Sequence, residues 1–233
     1  MQYEIKGAPF PVAVCRLENG ETVNCQKGAM AWMTPNMQMN TGVGGGGGLL
    51  GALGKAASRA LSGEAIFRNT YTAQGGEGEI AFASTVPGDI IAFELDGSNS
   101  IVAQKSAYLA SESGVNMELF YQKKLSAGFF GGEGFIMQKF TGKGVVFLEI
   151  DGSVVKYTLA SGQSMLIDTG YLAAMDATCS VSVESVSGIG NAMFGGEGLF
   201  NTKVTGPGNI WIQTMPTNVL ADAVKAFIPT SSN

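Results

Sequence analysis

The tetrapeptide Gly-Gly-Glu-Gly occurs three times, at residues 75–78, 131–134 and 195–198, and each copy opens a stretch of the same design. GGEGEIAFASTVPGD, GGEGFIMQKFTGKGV and GGEGLFNTKVTGPGN share a strand-like run followed by Thr-x-x-Gly. Thr85, Thr141 and Thr205 fall at one offset, and Gly88, Gly144 and Gly208 at another. Such self-similarity is the mark of a repeat architecture. A second apolar run then follows: IIAFEL from Ile90, VVFLEI from Val145 and NIWIQT from Asn209. The first two end in Asp96-Gly97 and Asp151-Gly152, and PVAVCRLENGETVNCQ has the same form around Asn19-Gly20. Asn-Gly and Asp-Gly between alternating runs predict two-residue type I′ hairpins.

The repeat units are placed near residues 12–84, 90–140 and 145–205, with residues 42–62 an insertion in the first. Tyr108-Leu109-Ala110 and Tyr171-Leu172-Ala173 align between the second and third units, and Met30-Ala31-Trp32 is the counterpart in the first. A unit this short cannot bury a good core alone, so the stable solution packs three together. Closing them into a ring also removes exposed strand edges. The expected fold is therefore mainly β: one domain of three tandem β units in a closed pseudo-threefold arrangement, with one inserted helix and a C-terminal helix. A closing strand at 209–215 is expected to pair with the N-terminal hairpin or with the Gln2 to Ile5 strand. Gly75, Gly76, Gly78, Gly131, Gly132, Gly134, Gly195, Gly196 and Gly198 read as structural turn residues, since glycine reaches positive φ without steric cost. Leu49, Leu53, Ala56, Ala57, Ala60 and Leu61 have helical spacing, as do Leu220, Val224, Phe227 and Ile228 over residues 217–228, where Pro229 stops the helix.

Composition removes several classes of chemistry. The chain has no histidine, which excludes Ser-His-Asp triads, Cys-His pairs and histidine-bearing metal sites. A net charge of −5 opposes approach to phosphate backbones and anionic lipid, so nucleic acid is not an expected partner. Cys15, Cys25 and Cys179 are odd in number and lack Cys-x-x-Cys spacing, and read as small buried hydrophobes in a reducing compartment. No stretch approaches the roughly 18 apolar residues of a membrane span, and the N-terminal residues do not read as a signal peptide. A cytoplasmic location is the expectation.

Glu77, Glu133 and Glu197 are the acidic residues repeated at one offset in all three units. Three converging carboxylates would suit a hard cation, which prefers oxygen ligands. The alternative is that each accepts hydrogen bonds from its own glycine turn or pairs with a Lys or Arg. Leu49, Leu50, Leu53, Lys55 and Arg59 on the inserted helix form a candidate partner surface, or a cap over the end of the ring. Gly44 to Gly48 lacks the Gly-Lys-Ser/Thr that a phosphate loop requires, and GGEG precedes a strand, whereas a dinucleotide fingerprint opens a helix. Lys139 and Lys203 share an offset that would suit an RNA-gripping ring, but Ala83 breaks it. Phe129, Phe130 and Phe194 read as packing residues.

The insertion GGGLLGALGKAASRALSGEAIFRNTYTA, the paired GGEG turns and the terminal GGEGLFNTKVTGPGNIWIQT carry a family likeness. The chain resembles, over nearly its full length, the altered-inheritance-of-mitochondria family of bacterial and archaeal proteins and their mitochondrial relatives. The resemblance implies a fold like that of the tryptophan RNA-binding attenuation protein, with three β units in one chain imitating three subunits of that ring. It implies no catalytic residues, metal or cofactor.

The functional expectation is a non-enzymatic binding or scaffold protein, self-associating as a homo-oligomer or engaging another protein. The alternative is a sensor for a small, amino-acid-like ligand held in clefts between the β units. A hydrolase would need paired carboxylates with separated pKa values, and the sequence offers no such pair.

Overall fold

Short runs that alternate inward and outward side chains, punctuated by glycine, favour strands over helices. The computed structural model bears this out over the residues it describes, which are 1–41, 68–123, 134–185, 200–225 and 227–228. The molecule is mainly β. The first third contains β1 (Gln2–Lys6), β2 (Val12–Leu17), β3 (Thr22–Gln26), β4 (Met30–Met33), β5 (Met37–Thr41), β6 (Arg68–Ala73) and β7 (Gly78–Ala83). β8 (Gly88–Asp96), β9 (Ile101–Gln104), β10 (Tyr108–Glu112), β11 (Val115–Lys123) and the long β12 (Phe135–Asp151) follow. The last third contains β13 (Val154–Leu159), β14 (Ser164–Asp168), β15 (Leu172–Asp176), β16 (Ser180–Ser185), β17 (Phe200–Thr205), β18 (Gly208–Gln213) and the helix α1 (Thr217–Lys225).

One antiparallel pairing pattern recurs along the chain. β7 lies between β2 and β4, and β6 lies between β3 and β5. The C-terminal half of β12 lies between β8 and β10, and its N-terminal half between β9 and β11. β18 lies between β13 and β15, and β17 between β14 and β16. Register recurs too: Leu17 faces Gly78, Leu95 faces Gly144 and Leu159 faces Gly208. Met30, Tyr108 and Leu172 face Phe82, Leu148 and Ile212, and each is followed by a one-residue bulge. Two further ladders join these sets, β10 with β3 and β15 with β9, while β1 pairs with the outer edge of β2.

The core follows the same geometry. Cys15, Cys25 and Phe82 of the first third pack with Leu109 and Phe147 of the second. Tyr108, Phe140 and Leu148 pack with Ala174 and Trp211 of the last third. Val204, Ile210 and Met175 pack with Val102 and Phe135. Apolar surface is thus buried between neighbouring thirds as well as within them, which is where the hydrophobic driving force for their association lies.

Four sequence expectations need correction. The Asn19-Gly20, Asp96-Gly97 and Asp151-Gly152 turns do not close hairpins, because the strands flanking each turn pair with other strands. Their glycines do take positive φ, at 88°, 96° and 76°. Asn19 accepts a hydrogen bond from the Gly75 N–H at 2.8 Å, and the Gly20 N–H donates to the Ala73 carbonyl at 2.8 Å, so that turn hooks onto a remote loop. A two-residue signal sets only the local reversal; burial of the following strand decides its partner. Second, the 209–215 segment pairs with β13 and β15, not with the N-terminal strands. Third, the helix ends at Lys225, short of residue 228, and none of its residues is buried. Fourth, Leu172 occupies the place of Tyr108, where the sequence alignment put Tyr171.

The repeat phase also differs in the first third. β12 bends at Thr141 to Gly144 as it leaves one sheet for the next, with φ of 97° at Gly142 and 135° at Gly144. A Cβ on Gly144 would lie 2.8 Å from Glu112 Oε2, so only glycine fits this bend. Thr205 to Gly208 makes the corresponding passage from β17 to β18. In the first third, residues 74–77 make that passage, so the first GGEG sits where the other thirds carry Thr-x-x-Gly. Lys139 and Lys203 therefore share their ladder position with Thr70, not Ala83, and the basic series is broken all the same.

Candidate functional site

Backbone N–H groups stranded at the sheet corners recruit side-chain acceptors. The residue after each corner glycine donates to the residue that follows or ends the neighbouring strand: Glu79 N–H to Thr34 Oγ1 at 3.0 Å, Val145 N–H to Glu112 Oε2 at 2.7 Å, and Asn209 N–H to Asp176 Oδ2 at 2.7 Å. Glu112 and Asp176 are thereby committed to structure. Charge-assisted bonds of this kind are stronger than neutral ones.

A second recurring contact crosses between thirds. Glu149, buried on β12, accepts from the Thr85 N–H at 2.8 Å, from Gln26 Nε2 at 2.7 Å and from Ser84 Oγ at 3.2 Å. Burial pushes its carboxyl above the ordinary value, and these donors oppose the shift. Gln213 stands at the same place on β18 and accepts from the Asp151 N–H at 3.1 Å, while its amide donates to the Gly170 carbonyl at 2.8 Å. Ala83 holds the corresponding place on β7 and has no acceptor to offer. An acid inside the apolar run VVFLEI was a visible signal for Glu149; the pairing with Gln26 had none, because 123 residues separate the two.

Two clefts lie where the thirds meet. The larger, about 500 Å³, is lined by Gln26, Gln104 and Gln213 together with Asp151 and the start of α1. Asp151 Oδ2 accepts from the Thr217 N–H at 2.7 Å and the Thr217 hydroxyl at 2.6 Å, which anchors that helix. The other, about 440 Å³, contains Glu21, Glu94, Glu112 and Lys143 with the Met1 ammonium, which lies 2.8 Å from Glu21 and 3.5 Å from Glu112. The bond it donates to Glu21 raises the ammonium's pKa, and the same bond lowers that of Glu21.

Of the repeated glutamates, Glu77 is exposed on the loop at 74–77, where Asn36 Nδ2 donates to its carbonyl at 3.0 Å. Glu133 and Glu197 lie outside the described residues, as do Gly131, Gly132, Gly195, Gly196 and Gly198, the aromatic residues Phe129, Phe130 and Phe194, and the insertion surface Leu49, Leu50, Leu53, Lys55 and Arg59. Gly75 and Gly76 take φ of 74° and 144°, and Gly134 takes 82°. Among the described residues no group of three His, Cys, Asp or Glu side chains is placed to hold a metal. Cys15, Cys25 and Cys179 are buried and free, and burial pushes the Cys15 and Cys25 thiols up to about 12. Such thiols are poor nucleophiles at neutral pH. No helix among the described residues is long and apolar enough to cross a membrane.

The family model described as mitochondrial biogenesis AIM24 matches residues 3–215. This chain belongs to that family. An AIM24 relative, an uncharacterised protein of Streptococcus pyogenes serotype M6, is 33% identical over 226 residues, covering 96% of this chain and 89% of its own length. The crystal structure of a Streptococcus pyogenes protein, a structural-genomics target, superposes with a TM-score of 0.78 at 29% identity, covering 97% of this chain and 99% of the other. This AIM24-family chain thus shares its fold with that solved structure.

Proposed function

We propose that this AIM24-family chain is a non-enzymatic binding or scaffold protein that self-associates. It is built as three tandem copies of one six-stranded unit, successive copies joined by the same junction in the manner of the tryptophan RNA-binding attenuation protein, and the expected closure between the first and last copies is not made among the described residues. The observation that carries this reading is the recurring ladder pattern: two junctions of one kind are made inside the chain, and the strands for a third, β4 and β14, each have a ladder on one side only among the described residues. Unpaired apolar edges are what self-associating β proteins offer one another. The carboxylates at the corners serve backbone N–H groups, in keeping with a structural role. Buried free thiols suit a cytoplasmic setting. Native mass spectrometry and sedimentation of the purified protein test the proposal: masses at multiples of the 24.1 kDa chain are expected, and a single-chain mass at every concentration sinks it.

A second reading is supported by the 500 Å³ cleft, whose Gln26, Gln104 and Gln213 amides and Asp151 carboxylate suit a small amino-acid-like ligand. Thermal-shift screening with amino acids separates the two, because a ligand that binds only the folded state raises apparent stability.

A further inference from the structure

The two junctions made inside the chain define a rule for the strands left over. At one, Ala110 faces Cys25, Ser111 faces Asn24 and Glu112 faces Val23. At the other, Ala174 faces Ala103, Met175 faces Val102 and Asp176 faces Ile101. The recurring registers equate Trp32 and Met33 of β4, with the following Thr34, to Ala110, Ser111, Glu112 and to Ala174, Met175, Asp176. They likewise equate Met165, Leu166 and Ile167 of β14 with Val23, Asn24, Cys25 and with Ile101, Val102, Ala103.

We infer that β4 of one chain pairs antiparallel with β14 of a second copy, head to tail, with Trp32 opposite Ile167, Met33 opposite Leu166 and Thr34 opposite Met165. This inference rests on the self-association proposed above and specifies its surface. Both edges are present in one chain, yet no ladder joins them, and Trp32, Met33 and Leu166 stay 49%, 37% and 61% exposed. Ala110, Ala174, Cys25 and Ala103, their counterparts or partners at the sealed junctions, are all 0% exposed. Met175 and Val102, the counterparts of Met33 and Leu166, are buried at a sealed junction, whereas the open edges leave Trp32, Met33 and Leu166 in solvent, aromatic and apolar side chains of the kind that intermolecular surfaces bury. Two different edges meet at such a contact, so it is heterologous: it adds one chain per step and ends as a ring if the rotation closes or a filament if it does not.

Complementary charges read the register. Met33→Lys and Leu166→Glu each place a charge in the apolar seam, and each is exposed in the single chain, so circular dichroism and melting temperature should match wild type. Each variant alone should dissociate at least tenfold more readily than wild type by sedimentation. Mixing the two should recover assembly, because Met33→Lys keeps an intact β14, Leu166→Glu keeps an intact β4, and the altered edges meet as Lys and Glu. A wild-type protein that assembles while both single variants assemble equally well overturns this register and leaves self-association standing. A wild-type protein with single-chain mass throughout overturns both.

Discussion

The seam between β10 and β3 and the edges at β4 and β14 occupy corresponding places in the ladder pattern, yet they differ in every physical respect that matters for stability. At the seam, Cys25 and Ala110 are buried and Glu149 ties Gln26, Ser84 and Thr85 across the boundary. At the open edges, Trp32 and Leu166 meet solvent, and Ala83 stands where Glu149 and Gln213 supply acceptors elsewhere. Equal backbone geometry therefore does not make equal junctions. Side-chain choice buries some and leaves another exposed.

Truncation should separate the two regions most sharply. Phe147, fully buried with its ring 5.1 Å from that of Tyr3, supports the sealed side, and Phe147→Ala should cost about 3–5 kcal/mol in denaturant titration. Leu166→Ala should stay within about 0.5 kcal/mol in the same measurement, while weakening assembly. Comparable losses at both sites would erase the distinction between seam and edge.

Backbone strain gives the next effect. Gly144→Ala demands a φ of 135° from a residue with a Cβ and drives that atom against Glu112, whose bond to the Val145 N–H supports the strand beside the seam. A loss of roughly 1–3 kcal/mol is expected. Gly76→Ala, at φ 144° with nothing within 4 Å of the added carbon, should cost less because the clash is absent. Thermal melts of the two variants check the order.

Glu149 supplies a pH test of the sealed side. Its folded pKa lies above the ordinary 4.5, so between those values the folded chain binds more proton than the unfolded chain, and stability falls as pH rises. The penalty is complete above the raised value and absent below 4.5. Wild type should therefore gain on Glu149→Gln as pH drops from neutrality toward that limit, in chemical denaturation at successive pH values. A difference independent of pH would mean that burial does not govern this carboxyl.

The smallest change concerns the recurring corner acceptor. Thr34 takes the Glu79 N–H at the open end, where Glu112 and Asp176 serve the other corners. Thr34→Val loses that acceptor and also the bond the Thr34 hydroxyl donates to Asn36 at 2.6 Å, and should cost about 1–2 kcal/mol, while Glu112→Leu should cost more because it strips a charged acceptor. Melting temperatures of the two variants decide whether the charged corners are the firmer ones.

Much of the strand content was legible, since VAVCRL, EIAFA and VVFLEI alternate or cluster apolar residues between glycines. The repeated Thr141 to Gly144 and Thr205 to Gly208 segments correctly flagged equivalent corners. The first copy misled because residues 75–78, the GGEG itself, stand where the other thirds carry Thr-x-x-Gly, and a turn motif records backbone need without recording which strands it joins. The helix stripe Leu220, Val224, Phe227 and Ile228 was also readable as a pattern, but Val224 and Phe227 remain exposed. Nothing in the periodicity marked Glu149, Gln26 and Thr85 as neighbours, because each side chain's partners come from another third.

Local chemistry alone determined that the chain would be mainly β, that glycine would stand at its corners and that histidine-based catalysis was excluded. These follow from steric limits on φ, alternation along a strand and side-chain inventory, all properties of neighbouring residues. Tertiary structure decided which strands pair across Asn19-Gly20, which carboxylates serve backbone N–H groups, and that β10 is sealed while β4 is open. Those outcomes depend on burial summed over distant segments, which no local spacing encodes.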